Sequence, residues 1–196
     1  KEIEQFVHRL VHKLLHDPSR NLKHLANALE RLFKVRPELE LKIEVHVYGG
    51  LVDKITSESF HYLPANVFQD HGRLEKDEKS GKSGRQRVLE KMRSSDILVL
   101  MHGQGEICGL YFPSKIYEYL WALRPIVIFS PNPENWSQIL QEDDHYIIRQ
   151  TDEECIDEKI GQIVANWERE GLADLKSSQA YSVETSVTRL MKIVNG

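Results

Sequence analysis

The sequence predicts an α/β fold, a parallel sheet covered by helices on both faces. Two observations carry this. Short apolar runs alternate with stretches of helical period along most of the chain, a βαβ rhythm whose long connections suit parallel strands. The run Ile126–Phe129 reads as a buried strand, and it follows a helical stretch opened by Pro113 and Ser114 and closed by Arg124 and Pro125.

In chain order, Phe6–His12 is the first apolar run and is expected to be a strand. Residues 20–36 (RNLKHLANALERLFKVR) space their leucines as an amphipathic helix does. Ile43–Tyr48 and Val67–Gln69 are short runs rich in β-branched and aromatic residues and read as the next strands. A polar stretch, Glu75–Gln86, precedes a helix over 84–94, and Ile97–Met101 forms the following strand. The helix over 113–123 leads into strand Ile126–Phe129, and a helix near 134–141 leads into strand Tyr146–Ile148. A helix over 152–170 follows. A last helix is expected over 180–195, where Val183, Val187, Leu190 and Ile193 or Val194 recur at helical spacing after a loop. Nothing repeats internally.

Composition bounds the function. With 196 residues and 40% hydrophobic content the chain can bury an ordinary core as one domain, 1–196, without disulfides or structural metal. No apolar run approaches the roughly 20 residues that cross a bilayer, and the opening KEIEQFVHRL does not read as a signal peptide, so a cytoplasmic setting is expected. Cys108 and Cys155 lie far apart without metal-ligand spacing, which favours free thiols. A net charge of −4 argues against nucleic acid as the main partner.

The chemistry concentrates in Phe112–Ser130, FPSKIYEYLWALRPIVIFS. A helix N-terminus there offers unpaired amides and the positive end of the dipole to a phosphate, and Glu118, one turn further in, can accept from sugar hydroxyls. A nucleotide sugar presents both groups. Lys115 is placed either to neutralise phosphate or to point to solvent as a helix-surface lysine, and the structural alternative for Glu118 is an exposed helix residue paired with Lys115 three positions earlier; Ser114 is a candidate helix cap as well as a donor contact. Tyr117, Leu120 and Leu123 have the spacing of a core face. The preceding loop, His102–Phe112, carries Gly103, Gly105 and Gly109, which let the backbone approach a ligand closely.

The segment PSKIYEYLWALRPIV resembles the donor-binding helix and following strand of GT-B glycosyltransferases of the large retaining group 1 family. Residues 20–36 resemble that family's first helix, His71-Gly72-Arg73-Leu74 the turn after its third strand, and Val88–Met101 the helix, Ser-Asp and strand unit that follows. The resemblance implies a Rossmann-like domain, the C-terminal half of a GT-B enzyme. Such a domain binds a nucleotide-diphosphate sugar through Glu118, Lys115, Ser114, Gly103, Gly105 and Arg20, with no cofactor and no metal. A separate N-terminal domain would supply the acceptor site and the catalytic surroundings. Transfer of a hexose to a polysaccharide or glycoconjugate acceptor is the activity implied, with association at the membrane periphery through the full-length enzyme. Two departures stand out. The turn after the first strand has no glycine between His12 and Arg20. Many relatives also carry two glutamates flanking seven residues, but counting back from Glu118 gives Leu110.

Two other patterns carry no site. Gly81-Lys82-Ser83 imitates the end of a P-loop, but the full pattern needs glycine where Lys76 stands, so the stretch reads as a solvated loop. His8, His12 and His16 recur every fourth residue, yet on a strand they would not converge on a metal. A non-catalytic Rossmann-like module that senses a nucleotide or anchors a protein is the alternative reading, since one fold hosts many functions.

Overall fold

The computed structural model describes residues 20–50, 52–104, 111–138, 140 and 145–171. In chain order these form α1 (Lys23–Val35), a 3₁₀ segment (Pro37–Leu41), β1 (Val45–Val47), α2 (Lys54–Phe60), β2 (Phe68–Asp70), α3 (Gly84–Arg93), β3 (Leu98–Met101) and α4 (Lys115–Ala122). Then come β4 (Ile126–Ser130), a second 3₁₀ segment (Pro133–Gln138), β5 (Tyr146–Arg149) and α5 (Glu153–Glu170). The strand expected at Phe6–His12 and the helix expected over 180–195 lie outside the described residues, as do Cys108 and the three histidines before Pro18.

Every described strand pairing is parallel. β1 pairs with β2 (Val45↔Phe68, Val47↔Asp70), and β4 lies between β3 and β5 (Leu98↔Ile126, Phe129↔Ile148). Alternate residues along β3 and β4 enter two different cores, which is why both strands are apolar throughout. Val99, Met101, Val127 and Phe129 join Val45 and Val47 of β1 in a core closed by α1, α2 and α5. Leu98, Leu100, Ile126 and Ile128 point the other way, onto Met92 of α3 and Ile116, Tyr119 and Ala122 of α4. Helices therefore cover both faces, in a Rossmann-like arrangement.

Local chemistry sets the helix ends. Pro37 stops α1, because the residue before proline is pushed out of the helical region. Asp53 caps α2: its carboxylate accepts from the Thr56 amide at 2.8 Å and from the Thr56 hydroxyl at 2.6 Å. That hydroxyl in turn accepts from the buried Leu22 amide at 3.0 Å, tying the start of α1 to α2. Ser83 and Gln86 form a reciprocal capping box on α3. Lys82, from the P-loop imitation, pairs with Glu90 at 2.6 Å instead of facing a ligand.

The elements depart from expectation in three places. α2 was not foreseen, since KITSESF is short and carries little helical periodicity. The helix expected over 134–141 is the 3₁₀ segment Pro133–Gln138, where two prolines and the fully buried Trp136 compress a short link between β4 and β5. On α4 the buried face is Ile116, Tyr119 and Ala122, one residue round from the face expected; Tyr117 is exposed, and Leu123 ends the helix in a left-handed conformation at φ 57°.

Candidate functional site

An open cleft of about 520 Å³ lies beyond the carboxyl ends of β1 and β2, between the first turns of α3 and α4. Carboxyl strand ends beside helix N-termini are where open parallel sheets bind ligands. The residues that leave β1, Tyr48, Gly49 and Gly50, form one wall, and Arg73 and Leu74, after β2, form another. Gly72 turns the chain there at φ +58°, a left-handed conformation suited to glycine. Its amide donates to Asp70 at 2.9 Å, and its carbonyl accepts from Gly49 at 2.9 Å. The third wall is α3, and it is close because Gly84 has no side chain: a Cβ there would stand 2.0 Å from the Leu74 carbonyl oxygen.

From α4, Lys115 and Glu118 face this cleft. They sit three residues apart on one helical face and form an ion pair at 2.5 Å. The Lys115 ammonium also lies 5.8 Å from the Tyr119 ring centre. Tyr119 is fully buried and donates to the Val99 carbonyl at 3.2 Å; burial, reinforced by the nearby Glu118 carboxylate, holds its hydroxyl well above the ordinary tyrosine range. This locks the helix onto β3, so Lys115 and Glu118 project from a rigid base. From the opposite helix, Arg85 reaches within 3.8 Å of the other Glu118 oxygen.

At the N-terminus of α4 the amides of Ile116 and Tyr117 are taken by the carbonyls of Pro113 (3.0 Å) and Ser114 (3.2 Å). The amides of Ser114 and Lys115 bond to no described acceptor and are the ones left for an anion. Ser114 is already helical (φ −55°, ψ −21°), and its side chain makes no capping bond.

The other expected donor contacts are not gathered here. Gly103 is buried where the chain leaves β3 and does not line the cleft. Arg20 is also buried; it donates to the Tyr111 hydroxyl, and Tyr111 packs against His102 with ring centres 5.7 Å apart. Gly105 lies outside the described residues. Among the described residues no group of three His, Cys, Asp or Glu could hold a metal ion. No described helix is long and apolar enough to cross a membrane.

Three features of the site escaped the sequence reading. Arg85 carried no role there, and its only signal was a basic residue in the first turn of a helix. Gly84 gave no sign of its contact with Leu74. Beside the cleft, the Nδ1 of buried His46 lies 2.7 Å from the Nε2 of His71, and the His46 Nε2 meets Glu44 at 2.8 Å. A ring nitrogen pair that close shares one proton, so Glu44 and His46 orient His71, which stacks on Tyr48 at 4.4 Å. Parallel pairing of β1 with β2 brings the two histidines together across 25 residues.

No protein-family model and no curated protein sequence matches the chain. Solved structures do. TarM matches with a TM-score of 0.59 and 21% identity over 98% of this chain and 36% of its own. OtsA, in its apo structure, matches with a TM-score of 0.50 and 14% identity over 99% of this chain and 40% of its own. Both are GT-B glycosyltransferases, and at these identities the likeness speaks for the fold: one Rossmann-like half of a GT-B architecture. The chain thus spans no more than about two-fifths of either protein.

Proposed function

We propose that this chain is the donor-binding, C-terminal domain of a retaining GT-B hexosyltransferase, taking a nucleotide-diphosphate sugar for transfer to a polysaccharide or glycoconjugate acceptor. The observation that carries the reading is the cleft itself, with Lys115 and Glu118 lining it from the first turn of α4. The diphosphate lies at the Ser114 and Lys115 amides, where its charge meets the helix dipole and the Lys115 ammonium. As phosphate takes over Lys115, the Glu118 carboxylate is released to accept from the ribose hydroxyls. The Lys115–Glu118 ion pair is exchanged for two ligand contacts.

Departure of the sugar leaves negative charge on the diphosphate, and preorganised amides and cations stabilise that charge without an essential metal. Acceptor and catalytic surroundings come from an N-terminal domain across the cleft, in a cytoplasmic enzyme working at the membrane periphery. The domain alone therefore binds donor and transfers little.

Titration with uridine, guanosine and adenosine diphosphates tests this. Half a site should bind at least one of them in the micromolar to millimolar range, about −8 to −4 kcal/mol. Glu118→Gln should weaken binding by about 1–2 kcal/mol while the thermal midpoint stays put. Binding by none of the three would sink the reading; unchanged affinity in Glu118→Gln would remove Glu118 from the site.

A further inference from the structure

The cleft lining is of two chemical kinds, charged and apolar, and the donor site accounts for only the charged pair on α4. Besides Lys115 and Glu118, the cleft is lined by Leu74, which follows β2, and by Val88 and Leu89 of α3, all half-buried apolar side chains. A flat heterocycle suits such a slot. The other charged side chains that line the cleft are Arg73, Arg85 and Glu75. Arg73 is engaged by Glu75 at 3.3 Å, and the Glu75 carbonyl is taken by Arg87 at 2.7 Å. The α3 capping box uses the Ser83 and Gln86 side chains on their own backbone. Arg85 differs: its guanidinium makes a loose 3.8 Å pair with the Glu118 oxygen not held by Lys115.

We infer that Arg85 reads the nucleobase, and that it selects bases with carbonyl acceptors on their outer edge, uracil or guanine, over the amino bases cytosine and adenine. This rests on the donor-site reading. When ribose hydroxyls occupy Glu118, Arg85 loses its counter-charge while its position on the first turn of α3 keeps it at the mouth of the apolar slot. A guanidinium offers N–H donors in a planar fork and accepts nothing. It therefore gains a paired contact from adjacent acceptors, as on a guanine edge, and meets a repelling donor where an exocyclic amine stands. Lys115 serves the phosphate end, common to every donor; Arg85 serves the end that differs.

The test is titration of the four nucleoside diphosphates, uridine, guanosine, cytidine and adenosine, into wild type, Arg85→Ala and Arg85→Lys, with thermal midpoints measured on each. Wild type should favour a carbonyl base by about ten-fold. Arg85→Ala should lose that preference, by weakening the carbonyl bases and leaving the amino bases within two- to three-fold, and Arg85→Lys should regain part of it at most. Equal weakening of all four ligands would make Arg85 a phosphate contact and overturn the inference, as would a wild type blind to the base or one that prefers the amino bases. Failure of wild type to bind any of the four would instead overturn the donor site on which the inference stands.

Discussion

Gly84 gives the sharpest test of how the cleft is built. Replacing it with alanine adds one methyl group at the first residue of α3, where alanine is intrinsically better than glycine by roughly 0.5–1 kcal/mol. The structure sets a larger effect against that gain. The new Cβ would stand 2.0 Å from the Leu74 oxygen and 3.0 Å from its carbonyl carbon, both backbone atoms. Helix and strand exit must part by about 1 Å or more before the contact stops being repulsive.

Little there can yield. Leu74 packs on the second core, the Glu75 carbonyl is held by Arg87, and the capping box fixes the helix start. Overpacking of this kind costs about 1–3 kcal/mol, so the clash wins, and the thermal midpoint should fall by roughly 3–10 °C in a domain of this size. The methyl group also spreads a wall of the cleft, so nucleoside diphosphate affinity should drop with it. Gly161→Ala on α5 is the control: nothing lies within 4 Å of its Cβ, and it should stabilise by about 0.4–1 kcal/mol in urea unfolding. If Gly84→Ala proves as stable as wild type while Gly161→Ala behaves as expected, the packing of α3 against Leu74 is wrong.

Thr56→Val should cost about 1–3 kcal/mol in urea unfolding, because the buried Leu22 amide loses its acceptor, and Thr56→Ser should recover most of it; an unaffected valine variant would disprove the tie between α1 and α2. Burial, with Lys23 adding to it, holds the His24 imidazole below its ordinary value of 6.5, so the unfolded chain binds that proton more readily. Stability should therefore fall as pH drops through that value, and His24→Gln should flatten the slope. Transferase assays on the isolated domain should show slow donor hydrolysis at most, and supplying an upstream domain should restore transfer; robust turnover by the domain alone would refute the division of labour.

The fold was legible because its strongest signals are local and mutually consistent. Ile126–Phe129 had to be buried on both sides, since each of its residues is apolar, and the structure sends Ile126 and Val127 to opposite cores. The end of the helix before β4 followed from proline chemistry at Pro125. α2 was illegible for the converse reason: its stability comes from Asp53 below it and Leu22 across it, neither of which leaves a period in KITSESF. The face of α4 was misjudged by one residue because Tyr117 and Tyr119 offer the same chemistry to a sequence reading. Tertiary packing decides between them: Tyr119 enters the core between α4 and the sheet and donates to the Val99 carbonyl, whereas Tyr117 is exposed.

The site divides along the same line. Lys115 and Glu118 could be paired from sequence because one turn of one helix sets their separation, whatever the rest of the molecule does. Arg85 could not. Its meeting with Glu118 depends on two helices from separate crossovers, and on Gly84 letting α3 close onto Leu74. A single absent Cβ thus places a guanidinium 30 residues upstream of α4 over the carboxylate it faces. For the same reason Gly84→Ala and Arg85→Ala should differ in kind: the first moves the wall and weakens every ligand together, whereas the second leaves the wall and removes only the discrimination between bases.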